Sequence, residues 1–381
     1  MHRLLAVAVA VILLAGLSSA AAVGGRPSDS RALPAPPRIE PANQAPVDVS
    51  GVPAVAPEPA TTVVPPPPPR PSGPVPLAGC PPPPPPSGPP SPPPWHPAVL
   101  VPEDALPAPA SPPAGRTVGL DALAGKGMWL WQFNRTEKGD ADAIVTKADA
   151  AGLNQLWVRV GDSQDGFYAA DVLNNLVPKA HAHGISVIGW GFPYLYDPQF
   201  DARWTGDALA WRGPHGERLD AFSADLETAS EGVMVTERRL QVYLGQIDAA
   251  SPDRAVVATV FRPTDRLWAS YPYRAIAPYV DGFAPMVYWG CTEPGAAAAE
   301  AISRLAALRP VHVIGQAYNM GDEGGRRVSP SGDETWRFLD VSHAGGALGA
   351  SFWDWQEIDQ EQWAAMAEYR WPVYEPSVGR R

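Results

Sequence analysis

Residues 220–227 read Asp-Ala-Phe-Ser-Ala-Asp-Leu-Glu, a short apolar strand that ends in two carboxylates. Because side chains alternate between the two faces of a strand, Ser223, Asp225 and Glu227 are predicted to share one face. Two like charges about 6–7 Å apart on an inward face are costly unless one carboxyl keeps its proton. The stretch therefore predicts a buried strand whose end holds a carboxylic acid next to a carboxylate.

Strand-like apolar runs alternate with helix-like segments on both sides of this stretch, from about residue 118 to residue 369. Eight such pairs in about 250 residues, with near-continuous apolar strands, are typical of a (β/α)8 barrel. An open doubly wound sheet is the alternative, but no glycine-rich phosphate loop follows the first strand. The fold is thus predicted to be α/β, with the barrel over residues 118–375. The strands are predicted at 128–132, 155–160, 185–190, 222–227, 255–261, 282–289, 311–317 and 350–355.

Polar and aromatic side chains mark the carboxyl ends of these predicted strands, where the active site of such a barrel lies. Packing alone does not account for groups of this kind at every strand end. The pattern predicts one shared site built from Gln132, Arg159, Asp162, Trp190, Asp225, Glu227, Arg262, Tyr288, Trp289, Gln316, Tyr318, Trp353, Asp354, Trp355 and Gln356.

Asp225 and Glu227 carry the chemical prediction. A protonated carboxylic acid beside an ionised one is what cleavage of a glycosidic bond requires. Glu227 is predicted to be the general acid and Asp225 the carboxylate that stabilises positive charge near the anomeric carbon. The alternative is a structural carboxylate pair bound to Arg159 or Arg262.

Aromatic residues near the last strands suggest how a sugar could be held. Trp355, at the mouth, is predicted to form the apolar floor under a pyranose ring, whereas Trp353 is predicted to fill the barrel. The Tyr288 hydroxyl could donate a hydrogen bond to an acyl oxygen or a carboxylate, or it could be a rim tyrosine. The seven histidines show no metal-ligand spacing, so no metal or cofactor is predicted.

Residues 220–227 resemble the DxxDxDxE motif on the fourth strand of family 18 glycoside hydrolases, the chitinases and their relatives. Met286-Val287-Tyr288 is similar to the MxY segment of that family, and residues 352–355 resemble its tryptophan-bearing last strand. The family 25 lysozymes carry a similar Asp-x-Glu on a mid-barrel strand. The resemblance implies a TIM-barrel glycosidase acting on an N-acetylated polysaccharide such as chitin or peptidoglycan.

The same resemblance implies roles for individual residues. Glu227 would protonate the leaving oxygen, while Asp225 and Tyr288 hold the acetamido group of the substrate, whose own oxygen attacks the anomeric carbon; this scheme needs no second carboxylate as nucleophile. The expected substrate contacts are Tyr288, Trp355, Trp289, Arg159, Gln316 and Trp190.

Two positions depart from the family 18 pattern. Ser223 stands where the motif has its middle Asp, and Trp289 follows Tyr288 where an Asp is common. A barrel that binds carbohydrate without cutting it is therefore the alternative function.

The first 117 residues differ in composition from the rest. Residues 1–22 have a basic start, an apolar run and small residues, as a cleaved signal peptide does, with an uncleaved anchor as the alternative. Residues 23–117 are rich in proline and alanine and are predicted to be a disordered spacer, either a tether or a leader without a partner. These segments predict a secreted or cell-wall-associated protein, or a tethering protein whose working part is the spacer.

Net charge and cysteine content indicate which binding partners and which disulfide to expect. The formal net charge is −11 and no Lys/Arg cluster is present, so nucleic acid and anionic membrane surfaces are not expected to bind. A polysaccharide is the expected partner, and the chain is expected to be a monomer. Two cysteines, Cys80 and Cys291, permit one disulfide in an oxidising compartment.

Overall fold

The computed structural model describes residues 70–80, 100–112, 118–250, 253–323 and 325–372. Eight parallel strands follow one another around a closed barrel, since each pairs with the next and the last pairs with the first. The predicted (β/α)8 TIM barrel is thereby confirmed. The strands are β1 Gly125–Leu130, β2 Gln155–Asp162, β3 Ser186–Phe192, β4 Ala221–Asp225, β5 Ala255–Phe261, β6 Gly282–Val287, β7 Val313–Gln316 and β8 Gly349–Trp353.

Helices connect the strands and cover the outside of the barrel. A two-residue strand, Gly166–Phe167, also pairs antiparallel with the end of β2. Asp140 and Asp197 cap the first and third helices by accepting backbone N–H groups of the first turn. The helices are α1 Ala141–Ala150, α2 Ala170–Ala182, α3 Pro198–Ala210, α4 Glu237–Ala250, α5 Asp265–Ser270, α6 Tyr273–Ile276, α7 Pro294–Leu305, α8 Gly332–Ala344 and α9 Gln360–Glu368.

The strand residues divide into two apolar clusters, as the alternation of side chains requires. One cluster lies between barrel and helices and contains Phe222 and Leu226 of the β4 region. The other fills the barrel interior, where the rings of Trp129 and Trp157 stack with centroids 4.8 Å apart. Trp190 lies 5.3 Å from Trp129 in the same cluster. The interior is thus a packed core that leaves only the carboxyl ends of the strands for a site.

Two stretches of the predicted spacer lie against the barrel. Residues 70–80 are fixed by Arg70, which forms ion pairs with Asp333 and Glu368, and by a disulfide between Cys80 and Cys291. The disulfide that the sequence permitted is therefore present in the structure.

The second stretch, residues 100–112, contacts α4 and neighbouring loops. Leu106 is buried, Arg239 donates to the carbonyl of Val101, and the Tyr279 hydroxyl donates to the carbonyl of Ala110. A proline-rich composition without helix or strand periodicity gave no signal for these contacts. The predicted signal peptide and the rest of the spacer lie outside the described residues. Within the described ranges, no helix combines the length and apolar character needed to span a membrane.

Candidate active site

The carboxyl end of β4 presents its polar side chains to the barrel mouth. Ser223 points into the barrel and shares a hydrogen bond of 2.8 Å with Thr259 of β5. The backbone ladder continues one step past the strand, because the Leu226 N–H donates to the Thr259 carbonyl. Asp225 is the last strand residue and is 7% exposed, while Glu227 lies two residues farther on and is half-buried. Ser223 and Asp225 thus share one face of β4, as the alternation of side chains predicted.

Asp225 is a buried carboxyl with unused hydrogen-bonding capacity. Its Oδ1 has no hydrogen-bond partner within the part of the chain that the structure describes. Desolvation by burial raises the pKa of Asp225 to about 7, although the positive charge of Arg159 opposes this shift and the charge of Glu231 adds to it. A buried acceptor without a partner is unfavourable in a fold and is expected where a ligand supplies the missing donor.

Arg159 of β2 supplies the positive charge next to Asp225. Its guanidinium lies over the ring of Trp190, 5.5 Å from the centroid, and donates to Asp162 at 3.0 Å. The Nε of Arg159 is buried and has no partner among the described residues. Arg159 is thus held by an ion pair on one side and by an indole face on the other, with one donor still unused.

Two tyrosines border the carboxylates. The Tyr271 hydroxyl donates to the Leu226 carbonyl at 2.5 Å, which ties the loop between α5 and α6 to the end of β4. Burial raises the pKa of both Tyr271 and Tyr288 well above the ordinary value, and the negative charges of Asp225 and Glu227 contribute to both shifts. Both hydroxyls therefore keep their protons at neutral pH and are able to donate hydrogen bonds.

Tryptophans form one wall of the mouth. The ring of Trp353, at the end of β8, lies 5.4 Å from Trp190, 5.8 Å from Trp129 and 6.4 Å from Trp131. Trp353 and Trp131 are half-buried and pack on the interior cluster from above. The indole N–H of Trp190 has no acceptor within the described ranges. These aromatic groups lie on the same mouth as Asp225, and Trp190 follows Arg159 around the barrel in register with Ser223.

A cavity of about 350 Å³ adjoins this wall at the ends of β1 and β8. Its volume suits one sugar ring together with water. The Gln356 side chain, which borders it, has a buried carbonyl oxygen without a partner among the described residues. The cavity is lined by Trp131, Gln132, Arg135, Gln356 and Glu357.

Four residues expected at the site lie elsewhere or serve the scaffold. Trp355 lies outside the barrel, where its N–H donates to Glu137 and its ring meets that of Trp363 at 4.9 Å. The Trp289 N–H donates to the buried carboxylate of Glu334 on α8. The Gln316 side chain joins two loops through the Gly290 N–H and the Tyr318 carbonyl. Arg262 donates a hydrogen bond to the Thr292 hydroxyl and interacts electrostatically with Glu300 on α7.

Asp201 is a scaffold residue that the sequence patterns did not reveal. This buried carboxylate of α3 accepts hydrogen bonds from the hydroxyl of Ser163, the backbone of Leu195 and the indole of Trp204. It thereby fixes the loops that follow β2 and β3, next to Arg159. The helical pattern around Asp201 did not indicate this scaffold role, because the two loops approach Asp201 only in the folded chain.

Asp354 is a second buried carboxyl at the mouth. Burial raises its pKa to about 7, and its Oδ1 accepts the backbone N–H groups of Gln356 and Glu357. Its charge also acts on Tyr288 across the mouth. The peptide bond between Trp353 and Asp354 is cis. Among the described residues, no group of three His, Cys, Asp or Glu side chains is placed to hold a metal ion.

Comparison with known proteins found similarity in solved structures alone. No protein-family model and no curated protein matches the chain. A chitinase from Chromobacterium violaceum matches at 12% identity and a TM-score of 0.47, covering 65% of this chain and 100% of that one. The spore cortex-lytic enzyme SleL of Bacillus cereus matches at 11% and 0.47, covering 64% and 73%. A family GH18 chitinase from Cycas revoluta matches at 11% and 0.46, covering 64% and 99%. At these identities the similarity is one of fold alone.

Proposed function

We propose that the chain is a glycoside hydrolase that cleaves an N-acetylated polysaccharide of the chitin or peptidoglycan type. The observation that carries the proposal is Asp225, a buried carboxyl whose Oδ1 lacks a partner in the described ranges, two residues before Glu227 at a mouth walled by tryptophans. A partly buried carboxyl pair beside aromatic faces is the equipment for holding a sugar and transferring a proton to its glycosidic oxygen.

In the proposed reaction, Glu227 gives its proton to the leaving glycosidic oxygen as the bond from that oxygen to the anomeric carbon breaks. The acetamido oxygen of the substrate forms the new bond to the anomeric carbon. Asp225 accepts the acetamido N–H and balances the positive charge, while Tyr288 donates to the acetamido group. Water then opens the cyclic intermediate and returns a proton to Glu227.

The aromatic floor of this subsite is assigned to Trp353 in the proposal. Its ring belongs to the wall of the mouth, next to Trp190 and Trp131, whereas the ring of Trp355 packs between Glu137 and Trp363 outside the barrel. Trp353 alone of the pair has a position from which it could meet a sugar that also reaches Asp225.

The test compares reducing-end release from chitin oligosaccharides and from peptidoglycan by the full chain and by Glu227→Gln. We expect turnover to fall at least a hundredfold, because the amide has no proton to give to the leaving oxygen. Glu300→Gln, on the outer face of α7, is the matched control and should keep full turnover. Equal turnover in the Glu227 variant and the original chain would refute the proposal.

The second candidate function is a barrel that binds carbohydrate without cleaving it. The hydrogen bond between Ser223 and Thr259 favours this candidate. These two neutral hydroxyls satisfy each other where a carboxylate would otherwise stand beneath Asp225. This candidate predicts saturable binding of the same glycans with no reducing ends released by any variant.

We also propose that the protein acts in an oxidising compartment, secreted or attached to the cell wall. The disulfide between Cys80 and Cys291 supports this proposal, since such bonds persist mainly outside the cytosol.

A further inference from the structure

We propose that a groove beside the tryptophan wall binds the carboxylate-bearing peptide of peptidoglycan, and that Arg135 and Arg327 recognise its carboxylates. This inference rests on the proposed function, because it selects peptidoglycan over chitin as the polysaccharide that the barrel holds. Chitin carries acetamido groups and no carboxylate. The peptide attached to the lactyl group of peptidoglycan carries both amide groups and carboxylates.

The groove consists of two adjacent cavities in the loops that follow three neighbouring strands, β7, β8 and β1. The first, of about 350 Å³, is lined by Trp131, Gln132, Arg135, Gln356 and Glu357. The second, of about 580 Å³, is lined by Asn319, Gly321, Arg327 and Glu357. Because Glu357 lines both cavities, the two lie side by side. Both volumes are in the range of ligand-binding pockets.

The groove begins at the aromatic wall where the proposed sugar lies. Trp131 lines the first cavity, and its ring centroid is 6.4 Å from that of Trp353. A sugar ring on the face of Trp353 is therefore next to the first cavity. An acyl-peptide substituent on such a ring has the cavity beside it, whereas an unsubstituted sugar of chitin leaves the cavity to water.

Hydrogen bonds fix the polar side chains in the first cavity. Gln356 donates through Nε2 to the carbonyl of Gln132 and to the hydroxyl of Thr136, both at 2.9 Å. Because a backbone carbonyl only accepts, the amide nitrogen must lie on this side. The Oε1 of Gln356 is then a buried acceptor that has no partner among the described residues. An N–H group of a peptide supplies the donor that this oxygen lacks.

Both arginines lack an acidic partner in the part of the chain that the structure describes. The guanidinium of Arg135 donates only to the side chain of Gln132, at 2.9 Å. Arg327 is bonded through its backbone alone, since its N–H donates to Gly79 and its carbonyl accepts from Asn319. Both arginines are exposed. Each is therefore available to take a carboxylate in the two-bond geometry that arginine favours.

The charges along the groove restrict where a ligand carboxylate can bind. Glu357 lines both cavities and repels another carboxylate, so ligand carboxylates are favoured at Arg135 on one side and at Arg327 on the other. The chain as a whole has a formal net charge of −11, which opposes the long-range attraction of an acidic ligand. Preference for such a ligand must therefore come from contact with these two arginines.

The experiment measures binding by isothermal titration calorimetry with the full chain carrying Glu227→Gln, so that turnover does not consume the ligand. The acidic ligand is the disaccharide of N-acetylglucosamine and N-acetylmuramic acid with a tripeptide whose carboxylates are free. The neutral ligands are the same fragment with its carboxylates amidated and the disaccharide of chitin. We expect the acidic fragment to bind at least about tenfold more tightly than either, with an affinity that falls as salt is added.

The variants test each arginine separately. Arg135→Gln and Arg327→Gln should each weaken binding of the acidic fragment about tenfold and leave binding of the chitin disaccharide within about twofold. Arg135→Lys keeps the charge and should retain part of the affinity. Arg203→Gln, at an exposed position on α3 in the outer layer, removes the same charge elsewhere and should change neither affinity.

Equal affinity for the acidic and the amidated fragment would overturn the inference, and so would a failure to bind either of them. An equal loss for the acidic and the chitin ligand in the two glutamine variants would mean that the arginines shape the groove without recognising carboxylates, which also contradicts it. If the original chain releases no reducing ends, the proposed function fails, while these titrations still decide which ligand the groove binds.

Discussion

The carboxyl of Asp225 should lower the stability of the fold whenever it is ionised. Its pKa is raised by burial to about 7 in the folded chain, whereas an exposed aspartate titrates near 3.9. Between about pH 4 and pH 7 the folded state therefore binds more protons than the unfolded state. The free energy of unfolding therefore falls as pH rises through this window and levels off above it.

We therefore predict that Asp225→Asn stabilises the protein at pH 8 but not at pH 4. The amide stays neutral at both values, so the gap to the original chain should widen by up to about 1.4 kcal/mol for each pH unit within the window. Urea unfolding across pH 4–8 measures it. Asp207→Asn, on the exposed side of α3, is the matched control for the same Asp-to-Asn change. A constant difference for Asp225→Asn would mean that its pKa is ordinary.

The last barrel strand shows where prediction from alternation stops. Alternation gave the correct faces for Ser223 and Asp225, because β4 is regular up to Asp225. The predicted last strand, residues 350–355, extended the same alternation to Trp355, but β8 ends at Trp353. Asp354 then accepts the N–H groups of the next two residues and turns the chain. A strand end set by one side chain is not visible in a hydrophobic pattern.

The two tryptophans should consequently respond in opposite ways to the same change. Trp353→Leu removes an aromatic face from the mouth, and we expect KM for the cleaved glycan to rise about tenfold, or about 1.4 kcal/mol of binding free energy. Trp355→Leu should leave KM unchanged but lower the free energy of unfolding by about 2–4 kcal/mol, since Glu137 and Trp363 lose their partner.

Steady-state kinetics and urea unfolding on both variants separate the two roles. Trp353 is half-buried, so a smaller loss of stability is expected there than at Trp355. If Trp355→Leu raised KM and Trp353→Leu did not, the sugar subsite would lie on the opposite side of β8 from the one proposed.

The barrel as a whole was predictable because eight apolar runs separated by helix signals admit few other folds. The docking of residues 70–80 and 100–112 was not predictable, since it depends on single anchors. Arg70 bridges Asp333 and Glu368, and Leu106 is buried beside α4. Such anchoring residues do not recur at the spacing of a helix or a strand, so a proline-rich sequence does not reveal them.

The disulfide should be the strongest of these anchors. It joins Cys80 to Cys291, 211 residues apart, and closing a loop of that length restricts the unfolded chain strongly. We predict that the double change Cys80→Ser and Cys291→Ser lowers the free energy of unfolding by about 2–4 kcal/mol. Urea unfolding of the full chain measures this loss, and a reductant added to the original chain should reproduce it.

Arg70→Ala is the contrasting control, because its two ion pairs are partly exposed to water and should contribute less than about 1 kcal/mol in total. Adding reductant to the double-serine chain should then change nothing further. If the double change left the free energy of unfolding intact while Arg70→Ala reduced it, residues 70–80 would be held by charge. The disulfide would then add nothing to the stability of the barrel.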